Sequence, residues 1–359
     1  MNSTPRVIIH LGPHKTGTTS IQQALWDRYG IPTEGTPWYP RLSNPPSQSD
    51  LISDFRRGHG ATVLRALRDT AISKRCSHLI LSSEDFSNLP VRQFSRALDA
   101  LGDDEVMLVF TLSSFFRRAQ SLWHERVKHG STRSFDESFP WLMDTASLAS
   151  DLVGRFARAC PAARVVVAIS DSRDPDMVWR NFDAGTGISS GWQSGDLPLL
   201  NTSATPLESE LLRTLNVAWA DSASVPSTNR WVAVDLMFQM FQRPEWREAT
   251  PTVSVRIPEE WHRPLRALAA ATVGNLIALR NAGRIRIKGH LSLLVDFDRN
   301  GEFRPAPLPS AKVSAAPGDK APSTPDTATA LTDSLEQEAT DVNDGERTTT
   351  LENEQPIEA

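Results

Sequence analysis

The chain has 359 residues, 39% of them hydrophobic, enough for one large core or a domain and a half. Its net charge of −5 is unevenly spread: residues 301–359 hold 12 acidic and 4 basic residues, a net of −8, so residues 1–300 are mildly basic at +3. That small excess suits a small anionic ligand and excludes the strongly basic footprint of a nucleic-acid binder. Cys76 and Cys160 have no partner at metal-ligand spacing, which argues against zinc and reads as buried thiols of a reducing compartment.

The first element is a strand-like run, Val7–Leu11, too short for the apolar region of a signal peptide and closed by Gly12-Pro13. No apolar stretch approaches the length of a membrane span, so the expectation is a cytoplasmic protein. A helix follows over Thr18–Tyr29, and further helices are predicted over Ala61–Ser73 and Val91–Leu101 on either side of a second strand, His78–Ser82. A third strand, Val106–Leu112, leads into a helix over Phe115–His129. A helix over Ser147–Cys160 precedes a fourth strand, Val165–Ile169. All four strands are almost wholly apolar rather than alternating, as for parallel strands covered on both faces. Strand and helix alternating in this way predict a three-layer α/β fold with a central parallel sheet.

The pattern then turns helical, giving a helical C-terminal half. Thr205-Pro206-Leu207-Glu208 is a capping box with Pro at the first helical position, opening a helix near Leu207–Trp219. Helices are also predicted over Trp231–Gln242 and Glu259–Asn281, and a strand or hairpin over Arg284–Asp298. From about Arg304 the composition becomes rich in Pro, Ser, Thr, Asp and Glu. It buries too little apolar surface to offset ordering entropy, which predicts a domain over 1–300 and a disordered acidic tail over 301–359.

The sharpest local signal lies between the first strand and the first helix. Gly12-Pro13-His14-Lys15-Thr16-Gly17-Thr18-Thr19 is a glycine-containing turn that aims backbone N–H groups and a helix N-terminus at one spot, which favours an anion. Gly12 and Gly17 admit close approach, Thr18 and Thr19 add hydroxyls, Lys15 adds a full charge, and His14 lies within reach. A Walker A loop has its Lys directly after the second Gly, where this chain has Thr18. The segment Pro13 to Thr19 instead resembles the 5′-phosphosulfate loop of sulfotransferases that use 3′-phosphoadenosine 5′-phosphosulfate (PAPS), whose core reads Pro-x-Lys-Thr-Gly-Thr-Thr.

That resemblance, which spans roughly residues 6–220, implies a P-loop NTPase-like fold. It implies sulfuryl transfer from PAPS to an acceptor hydroxyl on a carbohydrate or small molecule; with no Walker B aspartate or metal cluster in the sequence, no metal is expected. Residues 12–19 would hold the donor and Lys15 would act in catalysis. Glu84, in Ser82-Ser83-Glu84-Asp85 after the second strand, would be the general base; the other reading makes Ser83 or Asp85 a helix cap with Glu84 in the first turn. The family's 3′-phosphate pair is an Arg at the end of the third strand and a Ser eight residues on. Ser121 matches that Ser, but the Arg position falls on Ser113, so Arg117 or Arg118, one turn later, would have to substitute. An Asn-x-Ser near the donor corresponds to Asn201-Thr202-Ser203, where loop and cap chemistry is the competing reading. Two other functions remain open: a non-catalytic protein that keeps the loop, and a P-loop nucleotide kinase.

Overall fold

The structure is a computed structural model, and it describes residues 4–42, 48–102, 105–171, 174–188, 205–220, 227–241, 243, 245–246 and 257–295. The elements in chain order are β1 (Arg6–Leu11), α1 (Thr18–Tyr29), β2 (Pro37–Trp38), α2 (Asp50–Arg56), α3 (Gly60–Ser73), β3 (His78–Ser82) and a 3₁₀ turn (Glu84–Asn88). Then come α4 (Val91–Asp99), β4 (Val106–Leu112), α5 (Phe115–Lys128), α6 (Phe135–Ala159), β5 (Arg164–Ile169) and α7 (Pro175–Thr186). The last are α8 (Pro206–Ala220), α9 (Ser227–Phe241), α10 (Glu259–Asn281), β6 (Ile285–Lys288) and a second 3₁₀ turn (Leu291–Leu294).

The six strands form one sheet in the order β2-β3-β1-β4-β5-β6, every pair parallel. The apolar strands are what such a sheet requires, because each is covered on both faces. All seven residues of β4 are buried. Alternate residues feed two cores. Ile8, Ile80, Met107, Val109 and Val166 pack with Ile21 and Leu25 of α1 and with Val178 and Phe182 of α7. Val7, Ile9, Leu11, Leu108, Phe110 and Val167 face the other way, toward Phe55, Phe94, Phe156 and Leu276 on α2, α4, α6 and α10. The fold is therefore α/β in three layers. A third cluster joins α5, the start of α6, α8, α9 and α10 around Trp123, Phe139, Leu212 and Phe241.

The four strands expected from sequence are present, two of them residue for residue. The Thr205 capping box closes as expected: Thr205 N–H donates to Glu208 Oε2 (2.5 Å) and Glu208 N–H to Thr205 Oγ1 (3.2 Å). Several expectations are corrected. The helix expected over Ser147–Cys160 begins at Phe135, because Ser134 and Glu137 form a second capping box and Pro140 lies within the helix rather than ending it. The segment after Arg284 is a strand parallel to β5 followed by a 3₁₀ turn, not a hairpin; residues 296–298 of that expectation lie outside the described residues. Short β2, α2 and α7 had not been expected. Cys76 and Cys160 are buried free thiols. Residues 301–359, read as a disordered tail, lie outside the described residues, as do Asn201, Thr202 and Ser203.

The aromatic chain Phe110–Phe156–Phe94–Phe55 links β4 to three helices through ring contacts of 5.1–5.9 Å. Phe156→Ala removes its centre and should destabilise the fold by about 3–5 kcal/mol. A denaturant titration checks this: the midpoint falls while the slope stays that of the wild type.

Candidate functional site

β1 lies between β3 and β4, while the connections leaving it and its neighbour β4 run on opposite faces of the sheet, through α1 and through α6. Crevices at such a reversal, outside the carboxyl ends of the strands, are where open α/β sheets take ligands. The loop 12–17 occupies that position. Its backbone is set by three local features. A Cβ on Gly12 would stand 2.8 Å from the Thr111 carbonyl oxygen, so only glycine lets the loop lie flush against β4. Lys15 (φ 67°) and Gly17 (φ 89°) are both left-handed, one on each side of Thr16. For Lys15 that conformation costs about 1–2 kcal/mol, so the surroundings must hold it.

They do so through buried hydroxyls. Ser87 Oγ accepts from Gly12 N–H (3.1 Å) and donates to Gly12 O (2.9 Å). Thr16 Oγ1 donates to Pro13 O (3.1 Å) and lies 2.9 Å from Thr111 Oγ1. Thr111 Oγ1 is in turn 3.2 Å from His10 Nε2, and His10 Nδ1 is 2.8 Å from Ser82 Oγ. With the Thr16 proton committed to Pro13, one ordering gives every pair a proton: Ser82 donates to His10 Nδ1, His10 Nε2–H to Thr111, and Thr111 to Thr16. It requires a neutral His10, and full burial lowers the His10 pKa to about 3. Gln22 Nε2 and Gln48 Oε1 satisfy the carbonyl and N–H of Ser82, completing the strand end.

The charged groups stand above this layer. Lys15 Nζ pairs with Glu125 Oε2 of α5 at 3.0 Å, both side chains more than one-third exposed. Burial acts to raise the Glu125 pKa, but the hydrogen bond and charge of Lys15, with His129 and Lys128, hold it below the usual carboxylate value. His14 sits between two carboxylates, its Nδ1 3.7 Å from Glu84 Oε2 and its Nε2 3.5 Å from Asp85 Oδ1. Asp85 raises the His14 pKa against the effect of burial, and His14 lowers that of Asp85. Glu84 goes the other way: burial pushes its pKa up, against the pull of His14, the Thr18 hydroxyl and Lys15.

Gly12, Pro13, His14, Lys15, Thr16, Gly17, Thr18 and Thr19 form one strand–loop–helix unit, with Thr16 and Thr18 buried. Glu84 and His14 meet at its edge. Ser83 caps the 3₁₀ turn, accepting from Asp85 N–H at 3.3 Å, with Glu84 in its first turn, as the cap reading of that segment expects. On α5 the spacing of Arg117, Ser121 and Glu125 puts them on one stripe. Arg117 is paired with the buried Asp171 beyond β5 at 3.0 Å. The residues not anticipated are His10, Ser82, Ser87, Thr111 and Glu125. Ser87, Thr111 and Glu125 touch the loop across strands or helices, and His10 and Ser82 reach it through Thr111; the local sign was only a run of small hydroxyl residues at the strand ends.

Among the described residues no cluster of three or more His, Cys, Asp or Glu side chains could hold a metal ion, and no helix is long and apolar enough to cross a membrane. No protein-family model, no curated protein and no solved structure matches the chain.

The neutral His10 has a consequence for acid stability. The unfolded chain takes up a proton near pH 6.5, whereas the folded chain resists until about 3. Stability should therefore fall as pH drops from about 6.5 toward 3, by at most about 1.4 kcal/mol per pH unit from this group. His124, lowered to about 4 chiefly by burial, acts in the same direction. Denaturation midpoints measured across this range should fall less steeply for His10→Gln than for wild type; an equal slope would mean that His10 is not the group titrating.

Proposed function

We propose that the chain is a PAPS-dependent sulfotransferase of P-loop type that moves a sulfuryl group to an acceptor hydroxyl, a carbohydrate hydroxyl by the resemblance noted above. The observation that carries this reading is the placement of Pro13-His14-Lys15-Thr16-Gly17-Thr18-Thr19 at the switch point of a parallel sheet, with a carboxylate of raised pKa, Glu84, at its edge. The left-handed turns at Lys15 and Gly17, and the α1 N-terminus with no acidic residue in its first turn, favour an anion.

In this reading the N–H groups of residues 16–19 cradle the 5′-phosphate of the donor. Lys15 leaves Glu125 and neutralises the charge that grows on the bridging oxygen. The acceptor oxygen bonds to sulfur as the sulfur–oxygen bond to the 5′-phosphate breaks, in line. The acceptor proton passes to Glu84, and 3′-phosphoadenosine 5′-phosphate leaves. Such a transfer asks the protein for position and charge rather than covalent chemistry. Ser121 shares a stripe of α5 with the Lys15 partner, where it would meet the 3′-phosphate; Arg117 would join it only by giving up Asp171.

A second reading is favoured by the same ion pairs. With Lys15 on Glu125, Arg117 on Asp171 and Ser113 at the family's Arg position, the chain would be a non-catalytic protein that keeps the loop.

Calorimetric titration with 3′-phosphoadenosine 5′-phosphate should give micromolar binding, with ATP and magnesium far weaker. Tight magnesium-dependent binding of ATP would instead indicate a nucleotide kinase, and no binding of either would leave the non-catalytic reading. Given turnover, Lys15→Ala should lower it by about 100-fold or more, while Glu125→Gln should tighten nucleotide binding severalfold.

The base must be ionised, so activity should fall as pH drops through a Glu84 pKa above the ordinary glutamate value. The charge of His14 opposes that rise, so His14→Ala should move the acid limb of the pH–rate profile to higher pH. A limb that stays in place would remove Glu84 from the role.

A further inference from the structure

Beside the first turn of α5 lies a cavity of about 30 Å³ that none of residues 12–19 lines. Its polar wall is Ser113, Arg118 and Thr272, and Leu112, Phe115 and Leu268 form much of the rest. Arg118 is only 4% exposed. Its side chain makes no hydrogen bond or ion pair among the described residues, and its Nε is buried without a partner. Burial lowers its pKa only to about 10, so the guanidinium is charged at neutral pH. A buried cation with no counterion is costly by several kcal/mol, and proteins normally pair such a charge or lose it.

Nearby donors are also unused. The hydroxyls of Ser113 and Ser114 are buried with no partner. Ser114 holds the N-cap position of α5 but makes no side-chain cap bond, and the first turn of this 14-residue helix has no acidic residue. Of these groups, the Ser113 hydroxyl and the unpaired Arg118 guanidinium line the cavity, beside the positive end of the α5 dipole.

We propose that this cavity binds a small carboxylate, gripped by Arg118 and the Ser113 hydroxyl. The chemistry selects that class. One guanidinium offers one charge and a planar fork that matches two carboxylate oxygens. A phosphate or sulfate dianion would bring excess charge and lose hydration that these few donors do not replace. The apolar wall suits a short aliphatic body; the cavity itself has room for one or two waters, enough for the carboxylate head, and its open side leaves the chain a way out. The site does not depend on what the loop 12–17 binds.

The test is calorimetric titration of the full chain with acetate, butyrate and hexanoate at fixed ionic strength in chloride, with inorganic phosphate as the comparison. Saturable one-site carboxylate binding is expected. It should be lost in Arg118→Met and weakened about fivefold in Ser113→Ala, the worth of about one hydrogen bond. Arg118→Met should melt at or above the wild-type temperature in carboxylate-free buffer, since it removes an uncompensated buried charge. Lys15→Ala should leave carboxylate binding in place; its loss there would put the anion at the loop instead. Carboxylate binding that survives Arg118→Met, no carboxylate binding by the wild type, or phosphate bound in preference through Arg118 would each overturn the assignment.

Discussion

The ends of three strands and one loop are fastened at a single buried line of side chains that runs from Ser82 through His10 and Thr111 to Thr16. Each is 2% exposed or less, so none has water as an alternative partner. Breaking one link would leave a buried donor or acceptor unsatisfied at about 1–3 kcal/mol, more than the net worth of the bond itself. The line therefore specifies position more than it adds stability. It brings β4 close enough that only glycine fits at position 12, and it keeps Lys15 in a backbone conformation it would otherwise avoid. The loop is shaped before any ligand arrives, which spares binding the entropy of ordering it.

Around this neutral layer the charges are arranged in matched pairs. Lys15 has Glu125, Arg117 has Asp171, and His14 has Asp85 and Glu84. The Lys15 pair is partly exposed, and such pairs contribute at most about 1 kcal/mol. An incoming anion can therefore take Lys15 from Glu125 with little loss. The Arg117 pair is different, because Asp171 is only 7% exposed and would be left as a buried, uncompensated carboxylate. The two cations are thus unequally free to serve a ligand, and Arg118, buried without any such partner, stands apart from both.

The frame of the fold was legible in the sequence for a simple reason. Parallel strands covered on both faces must be apolar along their whole length, and runs such as Val106–Leu112 have few other uses. The position of the loop was legible because glycines and a Pro at that spacing mark the turn between an apolar strand and a helix. The capping box at Thr205 was legible because its two bonds span only three residues. The start of α6 was hidden by Pro140, the sixth residue of the helix, which gives up one backbone hydrogen bond there without ending it. β2, two residues long, has no periodicity to read. The partners of the loop were hidden for a deeper reason. His10 and Glu125 act through contacts 101 and 110 residues away, and nothing in the neighbourhood of either residue announces them.

The position of β1 at the centre of the sheet also bears on how the chain comes to be folded. The two partners of His10 lie 72 and 101 residues further along. β1 is made before either of its neighbours, so its two edges wait first for β3 and then for β4. Until residue 82 has emerged both hydrogen-bonding edges of this Val- and Ile-rich strand are open, and the edge that takes β4 stays open until about residue 112. Chains dominated by such long-range pairings fold slowly and are vulnerable to wrong partners in the interval. Over the first third of the chain pairing therefore waits on synthesis, and the nascent protein would be a natural client for chaperones that shield apolar segments.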